Sequence, residues 1–593
     1  MTLCVNGYQF GRSNHTVYLV DAYRQVDPQL LSRDWYTTDT MRYHGAFAWL
    51  SETLLRAGLL EAGFLVGYLL LVVLLHLCWV RIARALGAGT MLYLLSVVLY
   101  EVSAGGTGLG MYRFLQDGCF LPSNIANVLM LWGIYFCIVR RFAWCGLLLG
   151  AAGLFHLNHA LVGIGLFGAM TLWDVLDQTS RSTQNSPPFS RVPKERGRKN
   201  FPKLVNVTTA LQTVVLNRSR LLGALMLLTL SLPNVLPAVR TALAQTDKLP
   251  LSEFVALYVR LRHPHHYDPS TWPVALWVMF LWPIGLALLV WSRSRQTHAI
   301  VADASKQATR LVLIFCALMS VSLVFAGIVY VSEPLIQMSL WRFSIYVKLL
   351  TCIGAAVFLA RYARGIFMAV PCVLLCGWVG ASLWGGVVGE FAWRETPTVL
   401  VFFLLACVTV FFVVVRPRGW VHAGVSVIVL GIVGAAWGRG LGFGVIPEDS
   451  ADHLEMCDYV KQNTPTDALL LVPPDEQSMR LRGLRSVVIN FKGVPQLSGE
   501  MSIWRDRLQA VLNMDDLTTL PSGFGPTLRA IGRRYDALDA DDLTRTARMF
   551  GADYIVTRVP VEFSGADAPV FVWSTGREML YHLPGKKEAG LEQ

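Results

Sequence analysis

Apolar residues in this chain come in long unbroken runs rather than alternating with polar ones. Most runs are about 20 residues, the length at which a helix crosses roughly 30 Å of hydrocarbon. They fall at 61–85, 89–105, 122–140, 143–157, 158–176, 219–243, 272–292, 309–331, 338–361, 365–387, 397–416 and 420–439. The pattern predicts an α-helical polytopic membrane protein with about 12 spans. The pair 143–157 and 158–176 is short for two full crossings, and His156, Leu157, Asn158 and His159 stand at the join. Irregular backbone at that depth must be covered by protein or line a cavity. No repeat of the kind that builds inverted-repeat transporters is visible.

Beyond residue 440 the pattern changes. Residues 453–465 read as an amphipathic helix stopped at Asn463-Thr464-Pro465, and a second helix is expected at about 540–550 before Gly551. The segments ALLLVPP, SVVINF, DYIVTRVP, PVFVW and MLYHL read as strands. That alternation predicts a soluble α/β domain over 441–593, with the stretch 497–530 fitting neither pattern clearly. Residues 1–60 carry no spanning run and form a separate N-terminal segment ahead of the membrane domain, 61–440.

Composition agrees with the bilayer as main solvent: 54% of the 593 residues are hydrophobic and 15% charged, with a mean hydropathy of +0.47. The net charge of +11 does not call for nucleic acid, because the basic residues sit in short loops between the runs. If residues 1–60 lie outside the cytoplasm, alternate loops collect Arg81, Arg84, Arg140, Arg141, Arg293, Arg295, Lys306, Arg310, Arg361, Arg364, Arg416 and Arg418, and also the basic, Ser- and Pro-containing linker 177–218. The opposite loops contribute only Arg113, Lys248, Arg260, Arg262 and Arg394. The positive-inside rule then places the N-terminal segment and the C-terminal domain on the periplasmic face of the inner membrane. Since the N-terminal segment is outside yet preceded by no span, either a short tail is translocated or a first helix is encoded upstream of Met1; the second is the expectation. Eight of the 11 cysteines lie inside apolar runs, and no Cys/His spacing suits a metal.

Four groups of residues could carry chemistry. Asp21, Asp27, Asp34 and Asp39 cluster in the N-terminal segment; Asp21 and Arg24 share one helix face, and Asp34 adjoins Trp35 and Tyr36 in an irregular run. A carboxylate beside aromatic rings suits a general base acting on a sugar hydroxyl, although a solvated loop with a helix cap would look the same. Glu101 near the end of a span needs a cavity or a partner; the Gly-rich run after it follows a membrane helix, not a strand, and is no nucleotide loop. RLRHPHHYDP supplies Arg260, Arg262, His263, His265 and His266, better suited to phosphate than to metal, with surface histidines as the plain alternative. Arg342 and Lys348 occupy the outer half of a span, each at a cost of roughly 2.5–3.5 kcal/mol in hydrocarbon, which points to an anionic lipid partner or to snorkelling. His156 and His159 either line a cavity or bond the helix turn.

The segments GYQFGRSNHTVYLVDAYRQVDPQLLSRDWY, FHLNHALVG, LRHPHHYDPSTW, LWRFS and VKQNTPTDALLLVPP, followed by RSVVINFKGVPQ, resemble in order and character the bacterial integral-membrane proteins of the GT-C glycosyltransferase-like superfamily. NTPTDALLLVPP also resembles the start of the periplasmic domain of oligosaccharyltransferase catalytic subunits. The resemblance implies a transferase that uses a polyprenyl-phosphate-linked sugar, with membrane lipids as further partners. Asp34 or Asp21 would be the catalytic carboxylate, and Arg342, Lys348, Arg262, His263, His265, His266, His159 and Glu101 would serve the substrate and its lipid phosphate. The family's first-loop carboxylate pair is absent here, so no cofactor is assigned and a divalent metal ion stays open. A non-catalytic transporter or assembly factor for lipid-linked envelope polysaccharide is the alternative.

Overall fold

A computed structural model describes residues 7–40, 44–102, 113–184, 217–244, 248–272, 274–293, 298–362, 449–565 and 567–584, together with Leu3, Leu109, Val214 and Val215. The expected spans at 365–387, 397–416 and 420–439 lie outside these residues. Over its described residues, each of the other nine apolar runs is largely helical.

The N-terminal segment folds into short helices, among them α1 (Val20–Val26), α2 (Trp35–Asp39) and α3 (Gly45–Arg56). The bundle follows: α4 (Leu60–Ala85), α5 (Thr90–Val102), α6 (Pro122–Ile138), α7 (Phe142–Phe155), α8 (Leu157–Gln184), α9 (Arg218–Ala244), α10 (Val274–Arg293), α11 (Ala299–Leu323) and α12 (Ser344–Tyr362). Six of the described helical stretches are long and apolar enough to cross a membrane; α6 and α7 are shorter. At 1.5 Å per residue, α7 covers only about 21 Å. It stops because His156 adopts an extended backbone, φ −151° and ψ 121°, and α8 starts one residue later.

Helices α7 and α9 meet backbone to backbone. A Cβ on Gly146 would lie 2.0 Å from the Gly223 carbonyl oxygen, and one on Gly223 would lie 2.2 Å from that of Phe142. Small residues are what let two apolar helices approach this closely. At the end of the bundle formed by the last turn of α4, the α6–α7 turn and the start of α11, Asp174 of α8 is buried among Arg140, Arg220 and Arg310. Asp177 one turn on pairs with Lys306 and Arg310.

The C-terminal part holds helices α13 (Ala451–Asn463), α14 (Ser498–Leu512), α15 (Phe524–Asp536) and α16 (Ala540–Phe550) around five strands, β1 (Leu469–Leu471), β2 (Ser486–Val487), β3 (Tyr554–Thr557), β4 (Val570–Ser574) and β5 (Met579–His582). The sheet order is β2-β1-β3-β5-β4. β1 is parallel to β2 and β3, as crossovers through helices require, and β5 is antiparallel to β3 and β4. Every expected strand is present, and most of the stretch 497–530 is helical. The core of this part extends beyond 441–593: Trp35, Phe254, Tyr258, Tyr267 and Ile336 belong to the same hydrophobic cluster as Phe491, Trp504 and Ile555. The sheet domain is thus cemented onto one end of the bundle.

Candidate functional site

At that junction the chain gathers residues from its N-terminal segment, the α7–α8 break, the His-rich loop and the turn before α12. Arg342 sits in a 3-10 turn, Leu340–Phe343, entered through Ser339 in the left-handed region at φ 47°. The C-terminal domain holds the preceding turn in place: Glu333 accepts from the Ser498 N–H at 3.0 Å, and Gln337 donates to the Gln496 carbonyl. From the other side, Asn158 donates to the Gln337 carbonyl at 3.1 Å.

Arg342 lies within electrostatic range of Tyr18, His156, His159, Tyr258, His263 and His265. Its Nε is buried with no hydrogen-bond partner among the described residues. The rings form a chain: Tyr18 to His44 at 4.6 Å, His44 to His156 at 5.4 Å, His156 to His159 at 5.0 Å, and His159 to Phe343 at 5.1 Å between centroids. Beside Arg342, Trp341 packs on Trp272 and Trp277, each at 5.2 Å, and Trp272 donates to the Pro264 carbonyl of the His-rich loop. A guanidinium bordered by imidazoles, phenols and an indole wall suits an anionic oxygen carried on an apolar or sugar-bearing ligand.

The His-rich loop is half-buried, not a free surface. It follows a π-helix, Val255–Arg262. His263 donates from Nδ1 to the Tyr258 carbonyl at 3.1 Å, and the His265 and His266 rings are 4.0 Å apart. Burial pushes His265 down to about 3, assisted by Arg262, Arg342 and Lys492. Burial and then Arg262 push His263 well below the usual histidine range, so both rings are neutral at physiological pH. Tyr258 ties the loop to the domain by donating to Gln496 Oε1 at 2.9 Å.

Several expected site residues serve the assembly instead. Asp34 is fully buried. Its carboxylate accepts from Arg480 Nε at 2.8 Å, the Thr37 N–H at 3.0 Å and the Val487 N–H at 3.1 Å. It caps α2, as the plain alternative had it, but in a buried site and not a solvated loop, and it presents no open face to a substrate in this arrangement. Arg262 is buried, with its guanidinium carbon 4.2 Å from the Phe524 ring centroid and 5.0 Å from that of Phe491, donating to the Phe491 and Lys492 carbonyls. Burial lowers its pKa to about 9, opposed by Tyr258 and Tyr36, so it stays charged and fastens the loop to the domain. Lys348 points its ammonium at the Tyr100 ring, 5.2 Å away. Asp21 is half-buried on α1 and close enough to raise the Tyr36 pKa, after the larger effect of burial and the opposing Arg480. Glu101 belongs to α5, but its side chain is outside those described. Tyr18, His44 and Asn127 were not anticipated; no local pattern marks residues that meet only through tertiary packing. Among the described residues no group of three His, Cys, Asp or Glu side chains is placed to hold a metal.

An open charged depression in the C-terminal domain is lined by Asp475, Arg529, Gly532, Arg533, Asp536 and Arg558. Arg558 pairs there with Asp475 at 2.7 Å and Asp536 at 3.0 Å, so much of its charge is neutralised internally.

Residues 451–511, which run from α13 through most of α14, match a family described as Domain of unknown function (DUF6798). No curated protein matches the chain.

Proposed function

We propose that this chain is an inner-membrane enzyme of GT-C type that moves a sugar from a polyprenyl-phosphate donor to an envelope glycan, lipid or protein on the periplasmic face. The bilayer reading is supported by stripes of exposed leucine and valine: Val66, Leu70, Val73 and Leu77 on α4, and Leu221, Leu225, Leu228, Leu232, Leu236 and Val239 on α9. The orientation is supported by the loop charges, which set the Arg140, Arg220, Arg310 and Lys306 end toward the cytoplasm and the Arg342 end away from it.

The observation that carries the catalytic reading is the convergence on Arg342 of Tyr18, His156, His159, His263 and His265, drawn from three separated stretches of chain. In this scheme the Arg342 guanidinium stabilises the charge that builds on the departing polyprenyl phosphate. The neutral histidines and Tyr258 complete its cradle, and the tryptophan wall orients the sugar and isoprenoid. Asp34 is paired with Arg480, and in this scheme Asp21 is the carboxylate that takes the acceptor proton.

Membranes that express Arg342→Gln or Asp21→Asn should lose transfer of radiolabelled sugar from polyprenyl phosphate by about 10²-fold or more, with the protein still present at wild-type level. Full transfer by both variants overturns the enzymatic reading. The engagement of Asp34 favours one rival, a non-catalytic carrier or assembly factor for lipid-linked glycan. That rival requires Asp21→Asn to keep full function while Arg342→Gln loses it.

A further inference from the structure

The position of the proton on His159 follows from its neighbour. Asn127 donates from Nδ2 to the Phe114 carbonyl at 2.8 Å, and the Tyr346 hydroxyl lies between its backbone carbonyl at 3.3 Å and its Oδ1 at 3.4 Å. The amide is therefore oriented with Oδ1 toward His159 Nε2, 2.9 Å away. A carbonyl-type oxygen only accepts, so His159 carries its proton on Nε2 and a lone pair on Nδ1. Nδ1 is buried and meets no hydrogen-bond partner among the described residues, in a side chain only 4% exposed. Nδ1 of His156, on the adjoining ring and 9% exposed, is in the same position. Close by stands the buried Nε–H of Arg342, a donor without an acceptor among the described residues. A buried acceptor left unmet is destabilising. The walls of this cluster thus ask for a ligand that brings both a negative oxygen for Arg342 and an O–H for His159.

We propose that the site selects ligands in which a hydroxyl adjoins a phosphate charge, with His159 Nδ1 accepting from the O–H while Arg342 donates to the anionic oxygen. This rests on the phosphate-site reading above and adds a requirement to it. A phosphodiester with no neighbouring hydroxyl fits poorly. Two sources supply the chemistry: the P–OH of a polyprenyl monophosphate, or a sugar hydroxyl next to the phosphodiester of a polyprenyl phosphosugar.

Native mass spectrometry of the detergent-solubilised full chain tests this with three probes: polyprenyl monophosphate, its methyl phosphodiester, and its hexosyl phosphodiester. At about pH 5.5 the monoester is largely singly charged, like the diesters. The wild-type chain is expected to hold the monophosphate, the hexosyl diester or both at least about tenfold more tightly than the methyl diester; which of the two is preferred identifies the source of the hydroxyl. His159→Gln keeps a donor toward Asn127 and removes the acceptor at the Nδ1 position, so it should abolish that preference. His159→Asn, whose oxygen falls near the Nδ1 position, should restore part of it. If Arg342→Gln weakens all three probes while His159→Gln leaves their ranking unchanged, the hydroxyl requirement is wrong and the phosphate site stands. If the wild-type chain ranks the three equally, the requirement is likewise wrong. If it retains none of them, both fall.

Discussion

Removing the Asp34 carboxylate would leave Arg480, 1% exposed, as a buried cation facing an amide. Breaking such a pair by deleting one partner costs about 3–5 kcal/mol, because the desolvated charge stays behind. Asp34→Asn should therefore lower the thermal unfolding midpoint of the purified chain and open the junction between the N-terminal segment and the sheet domain to protease. Arg342→Gln, which removes no ion pair found among the described residues, should leave both unchanged. An Asp34→Asn chain as stable and protease-resistant as wild type would show that the pair contributes nothing. The sequence marks Asp34 as conspicuous, a carboxylate beside Trp35 and Tyr36, but its partner lies 446 positions away. Local pattern identifies a residue worth attention and cannot say whether water, a ligand or a distant arginine will meet it. Arg262 is the same case, a cation that looks available in RLRHPHHYDP and is spent on Phe491 and Phe524. Arg342 and His159 were legible as costly polar groups inside apolar runs; their convergence was not.

Within the sheet domain, His453 of α13 is held between two carboxylates. Its Nδ1 lies 2.8 Å from Glu578 and its Nε2 3.0 Å from Glu476, with Ser478 and Cys457 alongside. Burial disfavours the imidazolium, but the Glu476 charge and the hydrogen bonds to Cys457, Glu476 and Glu578 outweigh it, so the pKa rises well above the usual histidine range. A pKa raised in the folded state gives stability that is complete below the unfolded value of about 6.5 and is lost as pH climbs toward the folded value. Above pH 7 this group should therefore make stability fall as pH rises. His453→Gln, less stable at pH 7, should show a correspondingly flatter decline, measured by denaturant unfolding of the chain at several pH values. Equal slopes would mean that the ring is not protonated in the fold. The elements around this clamp were the most legible part of the molecule. The stop of α13 before Thr464-Pro465, the stop of α16 at Gly551 and all five strands follow from local rules of capping, breaking and period. The π-helix at Val255–Arg262 and the left-handed Ser339 were not legible, because tertiary packing imposes them on residues with no such preference.

Across the whole molecule the polar chemistry separates into two ends joined by apolar helices. One end holds Asp174 and Asp177 among Arg140, Arg220, Arg310 and Lys306; the other holds Arg342, the histidines and the sheet domain. Length and hydropathy predicted the helices, and loop charge predicted which end should face the cytoplasm. The close crossing at Gly146 and Gly223, and the sharing of one core by Trp35, Tyr258 and Trp504, arise only once the helices have partners. The orientation can be measured directly. Gly89 is exposed beyond the end of α4, with nothing within 4 Å of an added Cβ. It lies at the Asp174 end, since neighbouring Gly87 abuts Val301 of α11. Asp541 is exposed on α16 of the sheet domain. In intact spheroplasts a membrane-impermeant maleimide should label Asp541→Cys above the wild-type background and leave Gly89→Cys unlabelled until the membrane is permeabilised. The reverse pattern would put the Arg342 cluster in the cytoplasm, where a carrier-linked sugar awaiting transfer to an external acceptor could not reach it, and would dismiss the periplasmic transferase. Equal labelling of both before permeabilisation would mean that the apolar helices do not separate the two ends across a bilayer at all.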